Sequence, residues 1–245
     1  MLLRDKLASS IMSVPPTGDL GEEGFMTMHV LLIENSSLDQ SESLLANLTE
    51  QGYEVAVSAT PEAALETTKT LWPNLIVFNS ANALFNLASF QLALDQTKLN
   101  VPYVVVGDKN LAADTSSETI VVAPGKTQQL NQGLKKAASN QKNRFVRVPG
   151  LTLDCYKHQM LRQGKIYNLT PKEFKLLYLL VSNHDQVLSR KTIMQEVWET
   201  DYLGDTRTLD VHIRWIREKI EDNPSRPQRL ITIRGTGYRF ILNPE

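Results

Sequence analysis

Five short apolar runs, HVLLIE (29–34), YEVAVSA (53–59), NLIVFN (74–79), PYVVVG (102–107) and TIVVAP (119–124), alternate with helical segments through the first 140 residues. This alternation constrains the fold more than any other feature. Near-continuous apolar strands are buried on both faces, which happens when helices cover both sides of a parallel sheet. The intervening pieces are SLDQSESLLANLTEQ (37–51), stopped by Gly52, then TPEAALETTKTLW (60–72), a segment around 83–96, and one from about 127 to 139. Thr60 and Pro61 supply an N-cap and a first helical residue. The expectation is an α/β domain over residues 28–139, a doubly wound five-stranded parallel sheet. Residues 1–27, with SVPPTGDLGEEG, read as a disordered extension, and Met26 and Met28 are each candidate natural starts.

After Ser139 the grammar changes. The polar, basic SNQKNRFVR reads as a linker over 140–147, and a second domain follows over 148–245. LTLDC, HQMLRQ and KIYNLT are short strands with Gly164 at a turn, an antiparallel meander. In TPKEFKLLYLLVSN, Thr170, Pro171 and Glu173 start a helix whose apolar face is Phe174, Leu177, Leu180 and Val181. His184 is expected to cap its end. SRKTIMQEVW is a second helix capped by Ser189, and TRTLDVHIRWIREKIED is a third, long one. RLITIR and YRFIL then form a hairpin about the glycines of GTG.

Charge divides along the same line. Residues 1–141 carry 8 Lys and Arg against 15 Asp and Glu, a net of −7, whereas 142–245 carry 18 against 12, a net of +6. A basic half points to a polyanionic partner. On a helical wheel, Leu209, Ile213, Ile216 and Ile220 fall in one buried stripe. Opposite lie Arg207, Val211, Arg214, Trp215 and Glu218, with Thr208, His212 and Lys219 on one flank and Arg217 on the other. Guanidinium, hydroxyl, imidazole and indole groups together suit the major groove of double-stranded DNA, where side chains read base edges and cations bind phosphates. Val211 or Thr208 is placed to touch a thymine methyl. The preceding helix, the turn and the hairpin complete a helix-turn-helix with a wing, Arg234 at the wing's tip.

These motifs, LTPKEFKLLYLL, VLSRKTIMQEVW, TRTLDVHIRWIREKI and TIRGTGYRF in that order and spacing, resemble the winged-helix output domain of the OmpR/PhoB class of bacterial response regulators. The resemblance implies a groove-bound helix at 206–221 and a wing carrying Arg234, Thr236, Gly237 and Tyr238. It also implies phosphate contacts from Trp198, Arg207, Thr208, Arg214, Arg217, Thr236 and Tyr238, and a loop 199–206 that faces RNA polymerase. The pattern departs at Trp215, where some members carry a base-reading arginine.

Residues 28–139 resemble the receiver domain of the same proteins, a flavodoxin-like fold. Receivers are phosphorylated on an aspartate ending the third strand, beside an acidic pair that holds magnesium. Here the corresponding positions are Asn79 and the pair Glu34–Asn35. The hydroxyl position is Gly107, the lysine position Ala123 and the aromatic switch position Ile120. The segment between Gly107 and Ala123 is also short, so a fourth helix is expected to be truncated or missing. An amide is no nucleophile, so no acyl phosphate forms at Asn79. The expected function is a sequence-specific regulator of transcription acting without aspartyl phosphorylation, as a homodimer. The alternative is a protein- or ligand-binding adaptor with vestigial DNA binding.

Other classes find no support in the residues. The four histidines (29, 158, 184, 212) lack metal-ligand spacing, and no glycine-rich phosphate loop follows a strand, so neither an enzyme nor a cofactor or metal is expected. Cys155, the single cysteine, reads as a small core residue. With no membrane-length apolar run and no secretory core near the start, a cytoplasmic, nucleoid-associated location is expected.

Overall fold

The structure is a computed structural model describing residues 28–34, 43–80, 87–95, 99, 101–107, 120–139, 141, 144–200 and 207–244. Expectations for residues 1–27, Asn35, the first turns of the first helix, the segment 108–119 and most of loop 199–206 lie outside it. The described chain forms two compact units, divided between Phe145 and Val146.

The first unit runs β1 (His29–Ile33), α1 (Leu45–Glu50), β2 (Glu54–Ser58), α2 (Pro61–Leu71), β3 (Leu75–Asn79), α3 (Leu87–Asp95), β4 (Tyr103–Val106), β5 (Ile120–Val122) and α4 (Thr127–Ser139). Its five strands lie in the order β2-β1-β3-β4-β5, every pairing parallel. Val30, Leu32, Leu75, Val77, Val104 and Val106 pack with Leu48 of α1 and Leu130, Leu134 and Ala137 of α4. Their alternates Leu31, Ile33, Ile76, Phe78 and Val105 are buried too, so the apolar runs reflect a sheet covered on both faces. The Thr60 side chain accepts from the Ala63 N–H at 3.2 Å, with Pro61 as the first residue of α2. Strand order reverses between β1 and β3, the switch point where the carboxyl ends of parallel strands open a crevice. Glu34 and Asn79 stand there.

The second unit holds two antiparallel sheets around three helices. Strands β6 (Phe145–Val148), β7 (Leu151–Asp154), β8 (Gln159–Arg162) and β9 (Lys165–Asn168) follow one another in the first sheet. Then come α5 (Pro171–Ser182), β10 (Val187–Ser189), α6 (Arg190–Ile193), α7 (Arg207–Ile220), β11 (Leu230–Ile233) and β12 (Gly237–Phe240), the last sheet ordered β10-β12-β11. The α5 capping box forms as expected, with Thr170 Oγ1 accepting from the Glu173 N–H at 3.3 Å and Glu173 Oε2 accepting from the Thr170 N–H at 2.8 Å. The other Glu173 oxygen accepts from Lys219 Nζ, tying α5 to α7.

Two local expectations are corrected, and one strand was not anticipated. Phe145–Val148 is a strand rather than linker, its alternate apolar residues masked by the basic, polar chain around them. Val187–Ser189 is a third strand beside the hairpin, too short to show a period. Met194–Trp198 is π-helical, whereas Ile193, Met194 and Val197 keep an ordinary helical spacing in sequence. At the end of α5, where His184 was expected to cap, the Asn183 amide donates to the Leu179 carbonyl at 2.8 Å, and His184 Nδ1 lies 2.7 Å from Asp185.

Burial raises the Glu173 pKa, but the Lys219 and Thr170 hydrogen bonds outweigh it and hold the carboxyl below its ordinary 4.5. A depressed folded pKa gives stability that is present above 4.5 and lost as pH falls through the lower folded value. Glu173→Gln therefore lowers stability by about 2 kcal/mol at neutral pH. In thermal melts from pH 7 to 3, the gap from the unsubstituted protein narrows as pH falls below 4.5.

Candidate nucleic-acid interface

The placement of α7 follows from its buried ridge. Leu209, Ile213, Ile216 and Ile220 are essentially inaccessible and join the core built by α5, β7 and β12. Ridge burial aims the opposite stripe at solvent, where Arg207, Thr208, Val211, Arg214 and Trp215 are all exposed. Val211 and Trp215 keep 42% and 43% of their surface open, unusual for large apolar groups on an isolated helix face. Arg214 meets Glu218 one turn on, at 3.0 Å, an exposed pair worth little.

Three aromatic rings flank that stripe. His212 sits edge-on to Trp198 at 5.1 Å between centroids and tilted against Trp215 at 5.0 Å. Its Nδ1 lies 2.8 Å from the Thr208 carbonyl, which can only accept, so Nδ1 carries the hydrogen. The expected Trp198 phosphate contact thus falls to a half-buried ring that also packs on the core.

A polar hub joins α7 to the wing. Arg190 grips Asp210 through two parallel bonds of 2.8 and 2.9 Å, and the Tyr238 hydroxyl donates to the same carboxylate while accepting from Arg190 at 2.9 Å. The Arg190 bond holds the Asp210 carboxyl below its usual range, with Tyr238 adding to the effect against desolvation. Burial first, then the Asp210 carboxylate, pushes the Tyr238 phenol up.

Several sequence-expected contacts are therefore committed inward. Tyr238 is 3% exposed, with its hydroxyl on Asp210 rather than free for a phosphate. Arg217 donates through Nε and Nη2 to the Leu230 carbonyl at 2.9 and 2.7 Å and to Thr232 Oγ1 at 2.8 Å, and burial lowers its pKa. Lys219 pairs with Glu173. Gly237 serves packing: a Cβ there would stand 1.9 Å from the Leu188 carbonyl oxygen, so only glycine lets β12 lie against β10. Long polar side chains look alike on a wheel, and only the fold tells the paired from the free. Arg234 and Thr236 remain exposed at the turn, where Gly235 takes φ +74°.

Glu221 and Arg190 were not legible as site-builders. The buried Glu221 carboxylate accepts from the N–H groups of Gln228, Arg229 and Leu230 at 2.8–3.2 Å, fixing the start of β11. Together with Arg217 it clasps the wing to the end of α7. Cys155 packs against the core, and burial pushes its thiol up to about 12, an inert group.

In the first unit, Glu34 and Asn79 are each 3% exposed, and the Asn79 amide nitrogen donates to Glu34 Oε2 at 3.1 Å. Glu34 also accepts from the Ser43 hydroxyl and from the Leu44 N–H at 3.2 Å. Gly107 and Ala123 bring no hydroxyl or ammonium, and the Gly107 N–H is engaged by the Val122 carbonyl at 2.9 Å. With both Glu34 oxygens engaged from within, these residues do not fit a magnesium ion, which needs several open oxygen ligands. No helix among the described residues is long and apolar enough to cross a membrane.

Residues 164–240 match the family described as "Transcriptional regulatory protein, C terminal". Over 257 residues the chain is 28% identical to the alkaline phosphatase synthesis transcriptional regulatory protein SphR of Synechococcus elongatus, spanning 96% of this chain and 97% of that one. It is 33% identical over 208 residues to the probable transcriptional regulator ycf27 of Porphyridium aerugineum, spanning 77% and 86%. A probable transcriptional regulatory protein of Picosynechococcus is 45% identical over 102 residues, 42% of this chain and 41% of that one.

Gly237→Ala is expected to cost more than about 3 kcal/mol, because the clash is with backbone that cannot step aside. Denaturant unfolding of the full chain measures it. Asp210→Ala leaves Arg190 and the Tyr238 hydroxyl without their shared acceptor and lowers stability by about 1–3 kcal/mol in the same assay.

Proposed function

This chain belongs to the OmpR/PhoB family of response regulators, DNA-binding regulators of transcription, and we propose that it acts without aspartyl phosphorylation. The observation carrying this reading is the Asn79–Glu34 hydrogen bond. In its place a receiver would need two facing carboxylates, whose repulsion a cation relieves. Here one partner is an amide that donates to the carboxylate, so no like-charge repulsion between the two calls for a cation. An amide nitrogen offers no lone pair for attack at phosphorus.

In this reading residues 28–139 form a receiver-shaped regulatory domain, and the domain that binds double-stranded DNA begins with β6 at Phe145, which leaves 140–144 as the connection. The α7 face of Arg207, Thr208, Val211, Arg214 and Trp215 enters the major groove, and Arg234 with Thr236 reaches the neighbouring groove. Two copies bind paired half-sites as a homodimer, linking two weak contacts into one strong one. RNA polymerase meets the loop 199–206, whose first residue, Glu199, is held by Lys175 at 2.9 Å. The setting is the bacterial cytoplasm, on the nucleoid.

Incubation with acetyl phosphate and magnesium is expected to leave the intact mass and the DNA affinity unchanged. A phosphoryl mass increment on any aspartate, accompanied by changed affinity, refutes phosphate independence. Arg207→Ala and Arg214→Ala each flatten the dependence of log K on log salt by about one unit, whereas Arg217→Ala chiefly lowers the melting temperature. Asn79→Asp places a second carboxylate against Glu34 and costs about 2 kcal/mol at neutral pH. Like charge raises the pKa of such a pair, so the loss is recovered as pH falls, a trend that thermal melts record.

A further inference from the structure

The exposed apolar ridge on α7 has no duty in the domain's own core. Val211 and Trp215 are four residues apart, hence stacked on one face of the helix, and more than two fifths of each is open to water. Cationic and hydroxyl side chains border them: Arg207 and Thr208 one turn before Val211, and Arg214 beside Trp215. A surface meant only for solvent would not place its two largest apolar groups at the centre of a basic stripe.

The indole is also held in place. His212 packs on it at 5.0 Å, Trp198 packs edge-on to His212 at 5.1 Å, and the imidazole is fixed by its bond to the Thr208 carbonyl. A side chain supported from one side and bare on the other is organised in advance, so little conformational entropy is lost when something covers it.

The floor of the major groove presents one apolar group, the C5-methyl of thymine. We propose that Val211 and Trp215 form a methyl-reading ridge that selects thymines at defined positions of the bound duplex. The arginines at its borders hold phosphates, and the indole meets the methyl group by apolar contact. This assignment rests on the DNA-binding reading above, since it names which base feature that face recognises. It accounts for an indole at a position where an arginine would instead prefer the paired acceptors of guanine.

The experiment uses the full chain and a duplex recovered by in vitro selection from random-sequence DNA. Each thymine of that duplex is replaced in turn by uracil, which pairs identically but lacks the methyl group, and dissociation constants are measured by fluorescence anisotropy. At one or two positions facing α7, uracil is expected to weaken binding about fourfold for each methyl group removed. Val211→Ala reduces that penalty at one of the positions. Trp215→Arg abolishes it at the other and moves the selected sequence toward guanine there. Circular dichroism confirms that both variants keep the fold. Equal affinity of the unsubstituted protein for thymine and uracil duplexes overturns the assignment, as does a penalty unchanged in both variants. Failure of the full chain to select any duplex overturns instead the DNA-binding reading beneath it.

Discussion

Burial of the Leu209, Ile213, Ile216 and Ile220 ridge is the interaction on which the second unit depends. Four side chains, each worth about 1.5–3 kcal/mol when removed from water, seat α7 on α5 and the strands around it. Once that stripe is inside, helical geometry leaves no freedom in what is outside. The exposed face is the complement of the buried one, so the core packing and the outward stripe are set by a single sequence of fourteen residues.

That coupling explains how much could be read beforehand. The strands and helices of the first unit follow from continuous apolar runs and capping residues, and the parallel order follows from the helices between them. The outward stripe of α7 was equally visible, because periodicity alone separates Ile213 from Arg214. The commitments of individual polar groups were not. Arg217 and Arg214 have the same chemistry and lie three residues apart, yet one spans to the Leu230 carbonyl and the other meets Glu218 on its own helix. The difference lies in β11, well downstream in the chain, which no local pattern reports. Tyr238 and Gly237 were hidden for a similar reason: their surroundings are supplied by β10, a three-residue strand with no period of its own.

In the first unit the strand order alone sets the meeting of two strand ends. The β1 and β3 ends still meet at the switch point, because that meeting is a property of strand order rather than of any side chain. What stands there is a carboxylate satisfied by an amide, a hydroxyl and a backbone N–H. Two facing carboxylates would instead repel each other and make the crevice sensitive to ions. On this reading the domain keeps its architecture while its crevice has become a fixed internal joint.

The clasp formed by Arg217 and Glu221 at one end of α7, with the Asp210–Arg190–Tyr238 hub nearer the other, has a mechanical consequence. Helix and hairpin are bolted together at two separated points, so the distance from the rod to the hairpin tip behaves like the jaw of a caliper rather than a hinge. On the proposed reading, a duplex grasped by both must bring its grooves to that gauge. Stiff and pliant stretches of base pairs would then be told apart by the energy of bending them to fit, even where no side chain touches them.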